Sequence, residues 1–202
     1  MSSCRLCLSE QIENEIIYET KNFYVVPALG SFIPYYFLIV SKQHINSMAM
    51  AIKNSDLNKE YDKIKNKIIK FIKNKAKSDY LIFEHGDCDA KQTTCCVCHA
   101  HVHILPNNKK IFNILKETLG KPTGEVKQYT QIKNKINPEQ DSYLLLEENN
   151  KKFIWKNKII LRQYIRRLVS EQLGKGSEYD WKRYPYHENM QKTITEWLKY
   201  KN

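Results

Sequence analysis

Cys98-His99-Ala100-His101-Val102-His103-Ile104-Leu105-Pro106 carries three histidines at alternate positions. An extended strand sends successive side chains to opposite faces, so His99, His101 and His103 share one face and Ala100, Val102 and Ile104 take the other. Half of the chain's six histidines fall within these five residues, a concentration that a strand merely turning histidines to water does not explain. Imidazole titrates near neutral pH, ligates metals and acts as a nucleophile. The row is therefore open to three readings: a metal site, a catalytic site, or one of each.

Upstream, Tyr80-Leu81-Ile82-Phe83 reads as a strand running into Glu84-His85-Gly86. A loop from Asp87 to Cys98, with Cys88, Cys95, Cys96 and Cys98, then delivers the chain to the histidines. Residues 55–77 predict a helix capped by Ser55 or Asp56, with Leu57, Tyr61, Ile64, Ile68, Phe71 and Ile72 as one apolar stripe. The continuous apolar run Tyr35-Tyr36-Phe37-Leu38-Ile39-Val40 suits a strand buried on both faces, with His44 just beyond its end. Residues 14–19 and 22–28 predict a hairpin about Lys21-Asn22. Downstream, the pattern predicts a short helix over 109–118 and strands over 125–131, 142–147 and 152–156. Helices follow over 159–173, ended by Gly174, and over 187–200.

The chain of 202 residues can bury a core without covalent staples. It has no apolar run of the ~20 residues a membrane helix needs. Its first residues lack the apolar core of a signal peptide, so a cytoplasmic setting is expected. The six cysteines then read as thiols or metal ligands rather than disulfides. A net charge of +11, from 33 Lys+Arg against 22 Asp+Glu, favours anionic partners, although lysines spread along the whole chain also serve to solvate helices.

Cys4-Arg5-Leu6-Cys7 can aim two thiols at one metal ion. With His44 at the end of one central strand and His99 at the start of another, these make a tetrahedral Cys2His2 set. That set leaves His101 and His103 for other work. The Nε2 of His101 can attack phosphorus if an acceptor holds its Nδ1–H.

At this point the sequence resembles the histidine-triad (HIT) family. His99-x-His101-x-His103 followed by apolar residues is similar to its His-φ-His-φ-His-φ-φ motif. Pro34 to Ile45 resembles the family's buried strand ending in Pro-Lys-x-His, and Cys4-x-x-Cys7 matches the zinc pair of many bacterial members. The resemblance covers roughly residues 4–106. It implies an α+β fold, with an antiparallel sheet of about five strands packed against the long helix. It also implies a nucleotidyl-histidine on His101, phosphate binding by His103, and a structural Zn2+ on Cys4, Cys7, His44 and His99. The reaction would be hydrolysis or transfer at the α-phosphate of a substituted nucleotide.

Residues 1–108 would form the catalytic domain. Residues 109–202 would be an α+β extension, acting as a lid or as a degenerate second half from which Arg162, Arg166, Arg167 or Arg183 could meet a phosphate. The resemblance also implies a homodimer unless the extension replaces the second subunit. At the substrate-facing positions this chain departs from the family: Tyr36 stands where a histidine is usual, Glu84 where Asn or Gln is usual, and Thr94-Cys95-Cys96 where Gly-Gln-Ser/Thr is usual. A competing reading is a zinc-stabilised nucleotide- or RNA-binding module, with the aromatic and basic segment Asp180–Tyr186 stacking bases. A further alternative pairs Cys4 and Cys7 with Cys95 and Cys98 as a four-cysteine site, freeing His99.

Overall fold

The computed structural model describes residues 4–7, 12, 14–86, 97–148, 150–157 and 160–201. Strands β1 (Tyr18–Glu19), β2 (Phe23–Pro27), β3 (Phe37–Ser41), β4 (Tyr80–Gly86) and β5 (His101–Pro106) come from the first half of the chain. Strands β6 (Gly124–Val126), β7 (Tyr143–Glu148) and β8 (Lys151–Lys156) come from the second. All eight join one antiparallel sheet in the order β1-β2-β3-β5-β4-β7-β8-β6. The first five are the set expected for the family. The extension continues the sheet, because β7 pairs with the far edge of β4 in the register Glu84↔Leu145 and Gly86↔Tyr143. A Cβ at Gly86 would lie 2.2 Å from the Tyr143 ring, so this junction requires glycine.

The apolar stripe read from the sequence does pack as core. Helix α1 (Met48–Ala51) precedes α2 (Ser55–Ala76), whose Tyr61, Ile64, Ile68, Phe71 and Ile72 are fully buried. They pack on Val25, Phe37, Ile39, Ile82, Val102 and Ile104 of the sheet. The cap of α2 is Asn54 rather than Ser55 or Asp56. Its Oδ1 accepts from the amides of Asp56 and Leu57 at 3.1 and 3.0 Å, which an extended residue just before the helix can reach.

The opposite sheet face is covered by α3 (Ile111–Leu119) and α4 (Tyr164–Gln172), through Ile111, Leu115, Ile165 and Val169. The expected strand over 125–131 divides instead. It becomes β6 and a 3-10 turn over Tyr129–Asn134, because the side chains of Gln128 and Gln131 cap that turn reciprocally and Asn58 of α2 accepts from the Tyr129 amide. The expected helix over 159–173 starts only at Tyr164. Gln163 takes a left-handed conformation (φ 58°), and its amide binds Asp180 and the Trp181 N–H.

The last helix, α5 (His187–Lys201), returns to the start of the chain. Trp197 is fully buried, donates from Nε1 to the Ile17 carbonyl at 3.1 Å, and packs on Phe37 and Phe71. One core therefore joins the first hairpin and the last helix. Trp197→Ala is expected to cost about 3–5 kcal/mol of unfolding free energy by the cavity it leaves. Urea denaturation followed by circular dichroism measures this.

Glu84 lies on the α2 side of the sheet and is 1 % exposed, with Oε1 accepting from the Met48 amide at 2.6 Å. Burial pushes its carboxyl up to about 7, against the Met48 amide and the hydroxyls of Tyr143 and Tyr129. From about pH 4.5 to 7 the folded chain keeps a proton that the unfolded chain releases, so this group's contribution falls as pH rises through that window. Glu84→Gln lacks the dependence. Its stability margin over the parent should grow between pH 5 and pH 8 by up to roughly 3 kcal/mol, read from denaturation midpoints at the two pH values.

Candidate functional site

The Cys4–Cys7 turn closes through a Cys7 amide to Cys4 carbonyl bond of 3.1 Å. Ligand atoms of Cys4, Cys7, His44 and His99 all lie within 4.8 Å of one another. Cys4 Sγ is 3.5 Å and Cys7 Sγ 3.8 Å from His99 Nδ1, and Cys7 Sγ is 3.1 Å from His44 Nδ1. His99 donates its other ring N–H, at Nε2, to the Ser41 carbonyl at 2.8 Å, which leaves Nδ1 as the ligating nitrogen. Burial holds the His99 imidazole below its usual range and favours the neutral form that binds metal. Burial and the neighbouring Cys4 raise the Cys7 thiol, the behaviour of two sulfurs that a cation would deprotonate together. Two thiols and two imidazoles in this arrangement could hold a metal ion. Cys98 is not part of the cluster among the described residues, and Cys95 lies outside them.

β5 runs between β3 and β4, in the registers Leu38↔His103 and Phe83↔His103. Val102 and Ile104 point into the α2 side of the core, and His101 and His103 line a cavity on the other face. His101 donates its Nδ1–H to the His99 carbonyl at 2.6 Å, so Nε2 carries the lone pair. Burial brings the His101 imidazole down to about 4, although the His99 carbonyl opposes the shift. His103 stacks on Phe83 with ring centroids 4.4 Å apart and planes 6° from parallel. Its Nδ1 is 2.9 Å from the Tyr36 hydroxyl. Burial is again the main cause that holds His103 well below the usual range.

The cavity measures about 920 Å³ including its open mouth. Leu6, Ile12, Val26, Ala28 and Leu38 give it an apolar wall. Arg5, beside Leu6 in the thiol turn, also lines it and pairs with Glu15 at 3.3 Å. The second half of the chain supplies Ile160, Gln163, Tyr164, Arg166 and Trp181. Trp181 of the aromatic and basic segment thus faces the cavity and the Gly30 turn.

The structure does not bring every anticipated residue to this place. Tyr36 does not line the cavity; it lies behind His103, with its hydroxyl 2.9 Å from His103 Nδ1. Glu84 is turned to the opposite sheet face, because it is one residue out of phase with Phe83, the partner of His103. Cys95 and Cys96 lie outside the described residues. Of the four arginines, Arg166 lines the cavity, whereas Arg167 is held at the surface by Glu171. His85 also lines the cavity and was not singled out from the sequence. The alternation Leu81, Phe83, His85 along β4 was the available signal, and it could be used only once the register was known.

The HIT domain family matches residues 9–110, and the chain belongs to that family. A HIT family hydrolase from Legionella pneumophila is 24 % identical over 54 % of this chain and 95 % of its own, with a TM-score of 0.38. A hypothetical histidine triad nucleotide-binding protein from Sulfolobus tokodaii is 24 % identical over 48 % of this chain and 62 % of its own, with a TM-score of 0.37. A HIT family member from Bacillus subtilis is 23 % identical over 54 % of this chain and 76 % of its own, with a TM-score of 0.40. No curated protein matches the chain. No helix among the described residues is long and apolar enough to cross a membrane.

Cys7→Ser and His99→Ala are expected to lose bound metal, and His101→Ala to retain it, as measured by metal analysis of purified protein. Retention by His99→Ala would instead point to the four-cysteine set.

Proposed function

We propose that the protein is a nucleotide hydrolase or nucleotidyltransferase that works through a covalent nucleotidyl-histidine on His101. The observation that carries this reading is the 2.6 Å bond from His101 Nδ1–H to the His99 carbonyl, within a cavity shared with His103. It fixes the tautomer that leaves Nε2 able to attack. In the first step the Nε2 lone pair forms a bond to the α-phosphorus, the bond to the substituent breaks, and its electron pair leaves with that group. In the second step water, or another hydroxyl acceptor, attacks the same phosphorus. The N–P bond breaks and its pair returns to Nε2, while the proton of the attacking group passes to solvent or to the departed group. His103 holds a non-bridging oxygen, on which the charge is concentrated. The apolar wall about Val26 and Leu38 takes the nucleoside.

Cys4, Cys7, His44 and His99 would hold Zn2+, which supplies structural cross-linking and no step of the reaction. The support is the donor set together with the Ser41 carbonyl that fixes the tautomer of His99. Because Arg5 and Leu6 lie inside the thiol turn, holding that turn also holds part of the cavity wall. Residues 109–202 act as the remaining wall.

The test is incubation of the zinc-loaded protein with dinucleoside polyphosphates, nucleoside phosphoramidates and nucleotide sugars, following nucleoside monophosphate release. His101→Ala should lower the rate by at least about a thousandfold while zinc content and fold persist. Acid-quenched parent protein should carry α-phosphate label, and His101→Ala should not. Tight nucleotide binding without release from any substrate would establish the binding module instead.

A further inference from the structure

Arg166 is 4 % exposed and lines the cavity that holds His101 and His103, yet no carboxylate pairs with it among the described residues. Three conditions oppose a cation there. Burial removes its hydration. It stands in the first turn of α4, where the helix dipole already places positive charge. That turn carries no acidic residue to offset it. The hydrogen-bond partners are neutral: Nη2 donates to Gly30 O at 2.5 Å, Nε donates to Tyr179 O at 3.1 Å, and Nη1 makes no hydrogen bond among the described residues. The ring centroids of Tyr36 and Phe32, 5.2 and 5.4 Å from the guanidinium carbon, ease the charge without cancelling it. The nearby carboxylates are engaged elsewhere. Glu15 pairs with Arg5 at 3.3 Å, and Asp180 accepts from Gln163 Nε2 at 3.1 Å and from the Lys182 amide at 3.2 Å.

The start of α4 borders the same cavity, which Gln163, Tyr164, Ile165 and Arg166 all line. Gln163 stands at the N-cap, but its side chain is turned to Asp180 and to the Trp181 N–H at 3.4 Å, and no side chain caps the helix. A guanidinium without a counter-ion and an uncapped helix start therefore meet at one wall. Both favour an anion, and a phosphate, with several charged oxygens, answers both at once. The seat is tight: Gly30, whose carbonyl holds Nη2, takes a φ of +69°, donates its N–H to Pro185 O at 2.7 Å, and would place a Cβ 2.3 Å from Trp181 Cβ. It also neighbours the histidines, since the Tyr36 ring that faces the guanidinium is 5.7 Å from the His103 ring.

We propose that Arg166 and the first turn of α4 form a second anion subsite, which takes a phosphate of the substrate other than the one His101 attacks. Arg166 is then a specificity-determining residue supplied by the second half of the chain. It favours substrates that carry a further phosphate over those whose only phosphate is the reacting one. That the phosphate belongs to a substrate rests on the function proposed above, which assigns His101 and His103 to the reacting phosphate. The anion subsite itself does not.

The binding probe is inorganic pyrophosphate. It is titrated into the full-length, zinc-loaded protein by calorimetry and by 15N–1H correlation NMR of the arginine side chains, with zinc content measured before and after. The Arg166 Nε signal of the parent should move with saturation. Arg166→Met should weaken binding about 30-fold. Arg167→Met, which removes the same charge from the neighbouring exposed position, should not. In parallel, kcat/KM is compared for a nucleoside phosphoramidate, the same compound with a 3′-phosphate, and a dinucleoside polyphosphate. Arg166→Met should lower it for one of the two compounds with a further phosphate about 30-fold more than for the plain phosphoramidate. Which of the two responds tells on which side of the reacting phosphorus the further phosphate lies. An Arg166 signal unmoved by pyrophosphate overturns the proposal. So does an equal loss on all three substrates in a folded Arg166→Met, the result a purely structural arginine gives. If Arg166→Met does not fold, the titration of the parent decides alone. A parent that binds pyrophosphate at Arg166 but releases no nucleotide would sustain the subsite and refute the reaction.

Discussion

The His101 Nδ1–H bond to the His99 carbonyl joins the two parts of this site. His99 faces three ways. Its Nδ1 belongs to the thiol and imidazole cluster, its Nε2–H is spent on Ser41 O, and its carbonyl holds the ring of His101. The candidate metal cluster and the orientation of the next histidine therefore share one residue of backbone. β5 can serve this way because strands pair with it on both sides and because Ala100, Val102 and Ile104 are buried. A strand pinned at both edges and anchored in the core has little freedom to rotate a ring out of place.

The second half of the chain depends on the same sheet. β7 extends it from β4, Trp197 returns to the first hairpin, and Arg166 seats on Gly30. A buried ion cluster adds to the junction: Lys65 of α2 meets Glu147 of β7 at 2.7 Å, and Lys152 of β8 meets it at 3.1 Å. Such pairs add little net stability over apolar packing, but removing one partner strands the others, so they hold the register in which β7 joins β4. The sheet edge that the extension covers is also an edge that would otherwise present unpaired backbone groups.

Much of this was readable before any coordinates. Alternation alone placed the three histidines on one face, and the spacing of Cys4 and Cys7 marked a ligand pair. The stripe of α2 was readable from its period. What was missed depended on distant pairing. Glu84 looked substrate-facing because it stands where the family usually has Asn or Gln, but only the Phe83↔His103 register shows that it is turned away. The same register brings His85 into the cavity. Arg166 could not be told from Arg162 or Arg167 by type or by helical position. Its distinction is the Gly30 carbonyl, 136 residues away in sequence. The late start of α4 has a similar origin, since Gln163 is held by Asp180 and Trp181 rather than by local propensity.

The electrostatics of the cavity follow from burial rather than from the overall charge of +11. Lysines on the outside are solvated and screened, so they bias encounter with anions more than they discriminate among them. Inside, desolvation keeps His101 and His103 neutral, so neither imidazole supplies positive charge at neutral pH. Neutral rings leave Arg166 as the deeply buried cation of the cavity wall, with Arg5 partly offset by Glu15 nearer the mouth. The carbonyl partners of Arg166 do not cancel its charge, so the cavity wall keeps a fixed positive potential at that point. A charge fixed by the fold acts without reorganisation, and its effect grows where opposite charge is most concentrated. A phosphoryl group, with charge on its non-bridging oxygens, suits such a potential better than a carboxylate ester or a neutral amide, which is what the function proposed above requires.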